Sequence, residues 1–423
     1  MKRLRYFFRF VFTLDAILCT AFVFAVMAGI EKFFDNIGFL NPLELALTDF
    51  EMMDMVYATE MKDTLQRPAT DTSIILVNIG DGGRYQIGKQ LELIAAEKPL
   101  AVAIDASFLG DRKPEDDSVL EAAMKKIPNL VLYSRLTYKG NSVLGGFDSI
   151  EFCNPRFARH GTPGFANMYT DGLGKDVFRI CRRFDPVESV NGRRILPLSL
   201  QTAWFADSNK VKKFLSRGNK KEIINYSGNI GVFQFLDVKD IFGQDESGFL
   251  NPEGADLSIL RNKLVFMGFM GSSMDEGDQD KTLEDKFYTP LNENFAGKSY
   301  PDMFGVVIHA NIANMVLKEK PIDEISAEGS FLIALLLCYL NVLGFFYIQR
   351  NHPGWYDLSV KVIQLGEVLV ILFVGMWIYS NFDYKADLTL AAFAVGLAGD
   401  VLEIYVGLKD KIMDWIFARR KAG

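Results

Sequence analysis

The chain has 423 residues, of which 49% are hydrophobic, and a formal net charge of −7. This length allows one domain with its own core together with additional segments. The acidic balance, with no basic stripe on any predicted helix, excludes nucleic acid as an expected partner.

The first predicted element is an apolar run at residues 7–30, which Arg9 and Asp15 interrupt. A cleaved signal peptide is one interpretation of this run. The run is long, however, and no small-residue cleavage site follows it before Glu31. We therefore expect an uncleaved transmembrane anchor, with a cytoplasmic N-terminus at residues 1–6.

An extracytoplasmic domain is predicted at residues 31–328, beginning with a helical stalk at residues 42–64. Beyond the stalk, short runs rich in β-branched residues alternate with segments of helical periodicity. The predicted strands are 73–79, 99–105, 129–135, 222–226 and 263–268, and the predicted helices are 85–97, 115–126 and 306–317. A strand, helix and strand in close succession form a βαβ crossover, so the sheet is at least partly parallel. We expect an α/β fold with three layers and a mostly parallel sheet.

Three further apolar runs near the C-terminus are long enough to cross a bilayer, which requires about 20 residues. They are predicted at residues 330–348, 360–379 and 388–408. Lysine and arginine residues concentrate at both ends of the chain, which predicts that both termini are cytoplasmic. Four transmembrane helices satisfy that arrangement, with the loop 349–359 inside and the loop 380–387 outside. The tail at residues 409–423 mixes apolar and charged residues, which is typical of a cytoplasmic amphipathic helix.

Polar residues and glycines follow the predicted strands at their carboxyl ends, the edge where parallel sheets bind ligands. These candidate ligand-binding residues are Asn78, Asp81, Asp105, Ser107, Gly268 and Gly271. Glycines there allow a ligand to approach the backbone closely. The alternative is that acidic residues and glycines at these positions only form turns.

His309 lies near the start of a predicted helix and is either a ligand contact or a hydrogen-bonded structural residue. One histidine among scattered carboxylates makes a poor metal site. Thr289, which precedes a proline, is expected in a rigid turn, where it caps a helix or touches a ligand. The acidic run with Asp275, Asp278 and Asp280 offers oxygen ligands for calcium, but its spacing is not that of an EF-hand loop. A solvated acidic loop is therefore the favoured interpretation.

Two of the four cysteines, Cys153 and Cys181, lie in the predicted extracytoplasmic domain. They either pair in a disulfide, as an oxidising compartment allows, or are two buried thiols. The sequence has no nucleophile elbow, Walker loop or dinucleotide fingerprint. We therefore expect no enzymatic activity and no cofactor.

Ionisable residues inside the predicted spans are the most distinctive feature of the membrane segment. They are Asp15, Lys361, Glu367, Asp400 and Glu403. We expect Asp15, Glu367 and Asp400 to reach a similar depth in the cytoplasmic half, with Lys361 as a nearby partner, because such groups usually face the bundle interior. A polar cluster of this kind would fix the helices, bind a partner's cations or relay protons. The alternative is that the span boundaries shift and Glu403 is merely interfacial.

Several stretches resemble the CHASE domain of the second type, CHASE2, an extracellular module of bacterial sensory proteins. The matching stretches are Ile74–Asp81, Leu100–Asp105, Glu115–Leu120, Asp176–Arg179, Leu196–Leu200, Ile224–Tyr226, Leu260–Gly268, Asp285–Pro290 and Gly305–Asn311. The resemblance covers residues 45–320 and implies one transmembrane span before the domain and three after it. Asp285, in one of its most specific stretches, is a further candidate ligand contact.

Two functions compete as explanations of these features. The first is a sensory input subunit in the bacterial plasma membrane, whose outside domain binds a ligand or an envelope protein. Members of the resembled family commonly continue into a kinase or cyclase, whereas this chain stops at Gly423, so a separate output protein is expected. The second is a structural or assembly subunit of a multi-protein envelope complex. The resemblance also implies a homodimer.

Overall fold

The computed structural model describes residues 14–36, 57, 71–138, 147–168, 180–243, 256–271, 285–292 and 300–422. The predicted stalk, apart from Tyr57, lies outside these residues, as does the acidic run with Asp275, Asp278 and Asp280. The chain divides into two compact units. One is Tyr57–Ile322, and the other joins Met1–Val56 with Asp323–Gly423.

Helices and short strands alternate through the first unit, whereas long helices dominate the second. The helices are α1 (Leu14–Asn36), α2 (Arg84–Ala96), α3 (Pro114–Met124), α4 (Pro155–Ala158), α5 (Leu198–Ala206), α6 (Ser208–Leu215), α7 (Val238–Phe242), α8 (Gly305–Leu317), α9 (Ala327–Asn351), α10 (Tyr356–Phe382) and α11 (Thr389–Ala422). The strands are β1 (Asp71–Asn78), β2 (Ala101–Asp105), β3 (Leu130–Thr137), β4 (Ser149–Phe152), β5 (Thr162–Phe165), β6 (Arg183–Phe184), β7 (Glu188–Val190), β8 (Arg193–Ile195), β9 (Glu222–Ile223), β10 (Phe233–Leu236), β11 (Leu264–Gly268), β12 (Lys286–Phe287), β13 (Met303–Phe304), β14 (Asp323–Glu324) and β15 (Tyr384–Lys385).

One central sheet organises the first unit. Its strand order is β10–β1–β11–β2–β3–β4, and β5 also pairs with β3. Within this sheet, β3 and β4 pair antiparallel and the other pairings are parallel. The expected α/β fold with a mostly parallel sheet is therefore confirmed.

Helices cover both faces of this sheet. On one face, α2 and α3 pack buried side chains such as Leu91 and Leu120 against Ile104 of β2. On the opposite face, α8 lies so close to β11 that a Cβ atom on Gly268 would come within 2.6 Å of the Val306 side chain. The unit thus has a helical layer on each side of the sheet, which buries both apolar faces of the strands.

Sequence signals at the start of α3 explain where that helix begins. Pro114 occupies the first turn, where its missing N–H is not needed. Acidic residues, including Asp117, fill the same turn and complement the positive end of the helix dipole. The carboxylate of Asp117 also accepts a 2.7 Å hydrogen bond from the buried guanidinium of Arg84 at the start of α2. One residue therefore starts α3 and ties it to α2.

The predicted strand at residues 222–226 is shorter than expected. Only Glu222–Ile223 is a strand, and it pairs with β6 instead of the central sheet. The edge position beside β1 belongs to β10, which sequence reasoning did not find. Tyr226 lies beyond the end of this short strand, where its side chain is fully buried and its hydroxyl donates a 2.7 Å hydrogen bond to the carbonyl of Cys181.

Among its described residues, the second unit contains three helices that are long and apolar enough to cross a membrane. They comprise Ala327–Asn351, Pro353–Phe382 and Thr389–Trp415. The apolar part of α1, Leu14–Ile30, is shorter than these, so the fourth span stays a prediction.

Helix α1 packs against the other helices of the second unit through small side chains. Its Ala16 and Cys19 share a buried cluster with Ala394 and Ala398 of α11. Small residues let helix backbones approach closely, which is how helices associate in a membrane.

The connections of the second unit differ from the predicted ones at the C-terminus. Helix α11 continues to Ala422, so the described part of the tail at residues 409–423 is no separate amphipathic helix. Strands β14 and β15 pair in parallel just before α9 and α11 begin. These two helices therefore start at the same end of the unit.

Candidate functional site

Three of the predicted ligand contacts lie side by side at the carboxyl edge of the central sheet. Asn78 of β1 is in register with Gly268 of β11, which is in register with Asp105 of β2. The parallel register brings these residues together from positions far apart in the chain, as the sequence pattern predicts.

Asn78 is a structural residue because its side-chain amide is fully used within the protein. Its Nδ2 donates to the Asp237 carboxylate at 2.8 Å and to the Gly271 carbonyl at 2.9 Å. Its Oδ1 accepts hydrogen bonds from the backbone N–H groups of Gly80 and Met270. The buried amide thus holds together the segments that follow β1, β10 and β11, and it has no donor to spare for a ligand.

The two glycines at this edge also serve the fold. Gly271 has a φ of +100°, a conformation that suits glycine alone, and its carbonyl receives the Asn78 amide. Gly268 allows α8 to pack onto β11. At Gly268 the missing side chain makes room for a helix. The sequence pattern could not distinguish this from room for a ligand.

Asp105 is the predicted residue with the most distinctive electrostatics. Its Oδ2 lies 3.6 Å from the position that a Cβ atom on Gly305 would occupy, at the first residue of α8. Burial raises the pKa of Asp105 to about 7, and the nearby carboxylate of Asp285 adds to the increase. Among the described residues, none donates a hydrogen bond to this carboxyl group. Asp105 and Asp285 therefore form an acidic pair at the amino-terminal end of α8, where the helix dipole favours negative charge.

The loop after β12 is fixed by a carboxylate that sequence reasoning missed. Asp302 accepts hydrogen bonds from the Thr289 hydroxyl at 2.5 Å and from the Thr289 N–H at 2.9 Å. Burial raises the pKa of Asp302 to about 6, although these hydrogen bonds oppose the rise. Thr289 is therefore a turn residue held by Asp302. The only sequence signal for this contact was that the two residues lie 13 positions apart in the chain.

His309 lies one turn into α8 and is 1% exposed. Burial lowers its pKa to about 3, slightly offset by the backbone of Ala166, so the imidazole is neutral. Neither ring nitrogen makes a hydrogen bond of acceptable geometry within the described chain. In the same residues no group of three or more histidine, cysteine or carboxylate side chains is arranged to hold a metal ion.

The remaining candidates of the first unit do not join the acidic pair. Asp81 and Ser107 are exposed on loops. Cys153 and Cys181 are both buried and form no disulfide with each other, so the interpretation as two thiols holds. The Cys153 thiol donates instead to the Tyr133 carbonyl at 3.3 Å.

The membrane carboxylates do not form one cluster at a common depth. Lys409 donates to both oxygens of Asp15 at 2.7 Å, and Lys361 pairs with Asp400. Lys409 and Asp400 are nine positions apart on α11, about 13 Å along the axis at 1.5 Å per residue. The expectation of a shared depth is therefore wrong, whereas the expected partnership of Lys361 with Asp400 is present.

The other two ionisable groups lie near different residues. Glu403 is exposed and faces the carboxyl group of Asp357. Glu367, midway along α10, lies beside the Asn341 amide of α9. Its Oε2 is buried without a hydrogen-bond partner.

Comparison with known families adds the decisive observation, a match to the CHASE2 domain over residues 20–344. The chain belongs to the CHASE2 domain family. CHASE2 is an extracellular sensory domain family. No curated protein matches the chain, and no solved structure matches it. Among the described residues at the carboxyl edge of the sheet, the acidic pair Asp105 and Asp285 is the candidate recognition group of this CHASE2 protein.

Proposed function

We propose that this CHASE2 protein is a membrane-anchored sensory input subunit of the bacterial plasma membrane. Its outside domain binds a ligand or an envelope protein, and its transmembrane helices pass the change to a separate output protein. The observation that carries the proposal is the position of the acidic pair Asp105 and Asp285 at the first turn of α8.

Helix α8 is suited to transmit a change at this pair. Twelve of its residues are buried, from Gly305 to Val316, so the helix moves only if its surroundings move with it. Only the chain segment 318–326 separates it from the first residue of α9. A ligand that neutralises or displaces the Asp105 carboxylate alters the charge at the helix start, a local electrostatic change of the kind that biases two-state elements.

Glu367 is the proposed contact for the output protein within the membrane. Asp15 and Asp400 each pair with a lysine of the same chain, whereas one oxygen of Glu367 is buried without a partner among the described residues. Intramembrane carboxylates of this type are costly unless a partner satisfies them. A cationic or amide side chain on a neighbouring transmembrane helix would do so. We also expect the chain to form a homodimer, as its family implies.

The test is purification of the full chain from its native membrane in mild detergent. A co-purified kinase, cyclase or regulator supports the proposal, and its activity then serves as the readout. The Asp105→Asn variant is expected to keep the partner bound and to change that activity at least threefold. Asp81→Asn is the matched control, because Asp81 is an exposed aspartate on a loop at the same sheet edge.

The contact in the membrane is tested in the same preparation. The Glu367→Ala variant is expected to lose the partner, whereas Asp400→Ala, which breaks a pair internal to the chain, retains it. Recovery of a large stoichiometric envelope complex without any signalling enzyme would instead establish the structural role and overturn the proposal.

A further inference from the structure

A second concave site lies on the opposite face of the sheet from Asp105. It is a pocket of about 210 Å³ over β3, between β4 and β5. Its lining includes the apolar side chains of Leu132, Phe152 and Pro163 and also Arg193. Asp105 is on the other side because its neighbour Ile104 belongs to the core cluster that contains Leu132.

The hairpin of β7 and β8 holds Arg193 in place. Asn191 and Gly192 form the turn with φ values of +51° and +78°, which fit the two central residues of a tight hairpin turn. Ile195, two residues after Arg193, is buried against Phe165 and Leu136 and anchors the hairpin. The backbone that carries Arg193 is therefore fixed at both ends.

The guanidinium of Arg193 is available to an anion. Its central carbon lies 5.3 Å from the centre of the Phe152 ring, so the ring supports it from one side. Within the described residues, no carboxylate pairs with it. Planar, forked guanidinium groups of this kind recognise carboxylates through two parallel hydrogen bonds.

From these features we propose that the pocket binds a small carboxylic acid with an apolar body of about one ring. The apolar side chains take the ring, and Arg193 takes the carboxylate. A cavity of about 150 Å³ is known to hold benzene, so 210 Å³ is enough for a ring that carries a carboxylate. The Cys153 thiol in the wall takes no covalent part, since burial raises its pKa. This site goes beyond the proposed function and does not depend on it.

The experiment is isothermal titration of the full chain in detergent with benzoate, and with benzamide as the neutral ligand of the same shape. Benzoate is expected to bind saturably at one site per chain and at least tenfold more tightly than benzamide. Arg193→Gln is expected to weaken benzoate at least tenfold and to leave benzamide unchanged. Arg194→Gln is the matched control, since the next residue of the same strand points the other way.

Two further variants locate the site and separate it from the sheet edge. Ala158→Leu fills the pocket and is expected to abolish binding of both ligands, while Asp105→Asn leaves it unchanged. Thermal unfolding of each variant establishes that it is folded. The proposal is overturned if benzoate gives no saturable heat, if benzamide binds equally well, or if Arg194→Gln weakens benzoate as much as Arg193→Gln does.

Discussion

Polar and charged side chains are paired differently in the two units of the molecule. In the α/β unit, the Asn78 amide joins three chain segments and the Arg84 guanidinium reaches Asp117 under an apolar core. In the helical unit, lysines cross between helices to reach Asp15 and Asp400, and large apolar side chains such as Leu365 and Phe373 face outwards.

The difference follows from the solvent around each unit, which is water for the α/β unit and lipid for the helical unit. Burial of apolar surface away from water holds the α/β unit together, and its polar residues determine how the strands end. A helix in lipid gains little from burying apolar surface, so packing of small residues and pairing of charges carry more of the specificity. Four substitutions test this contrast.

The largest effect is expected for Asn78→Ala. The change removes four hydrogen bonds and leaves the buried Asp237 carboxylate with one donor fewer. We expect the free energy of unfolding to fall by about 4 kcal/mol, at about 1 kcal/mol for each bond. Denaturant unfolding followed by near-UV circular dichroism measures it. Asn129→Ala, which removes a single hydrogen bond to Leu100, is the control and should cost about 1 kcal/mol. Equal losses for the two variants would contradict the structural role of Asn78.

The second largest effect is expected for Gly268→Ala, which should lower the free energy of unfolding by about 3 kcal/mol. The added Cβ would meet the Val306 side chain at 2.6 Å, and overpacking of a core costs about 1–3 kcal/mol. The double variant Gly268→Ala, Val306→Ala should recover part of the loss. Gly83→Ala is the control, since a Cβ atom there meets nothing within 4 Å. If Gly268→Ala unfolds at the same denaturant concentration as the natural protein, α8 does not pack as described.

Asp105 is expected to make the stability of the α/β unit depend on pH. The unfolded chain releases the Asp105 proton near pH 3.8, whereas the folded protein keeps it until about pH 7. Folding therefore binds a proton in this range, and this group lowers stability as pH rises from about 4 to about 7. At pH 8 the free energy of unfolding of Asp105→Asn should exceed that of the natural protein by about 2 kcal/mol, after allowance for the partial exposure of Asp105. Near pH 4 the two values should be equal. Thermal melting at several pH values checks this, and an advantage that does not change with pH would contradict it.

The smallest effect is expected for Asp15→Asn in the helical unit. The ion pair with Lys409 is partly exposed at the protein surface, and interhelical polar contacts in membranes contribute about 1 kcal/mol. Unfolding in mixed detergent micelles measures the loss. The exchanged pair Asp15→Lys, Lys409→Asp should restore most of it. A loss several times larger would contradict this contrast, because the helical unit would then depend on polar pairs as strongly as the α/β unit does.

Sequence reasoning succeeded where one short pattern decides the structure. Uniform apolar runs identified β1, β2 and β11, and their parallel arrangement brought Asn78, Gly268 and Asp105 to one edge. It failed for β10, whose four residues become a strand only because β1 offers them an edge.

The sequence alone also could not predict the roles of residues whose partners lie far away in the chain. The partner of Asp15 is 394 positions away at Lys409. Asn78 resembled a ligand contact because its four partners come from segments after β1, β10 and β11. At the acidic pair, Asp105 was visible as a polar residue after a strand, but its raised pKa arises from burial by surrounding segments.

The position of β1 in the sheet has a consequence for biosynthesis. Its two neighbours, β10 and β11, come from residues 233–236 and 264–268, far behind it in order of synthesis. A growing chain therefore carries β1 without either neighbour for almost the whole domain. Long-range strand pairing of this kind is slow and leaves apolar strands open to aggregation. The domain should thus depend on assistance during its export until α8 has emerged, and fragments that end before β11 should not fold.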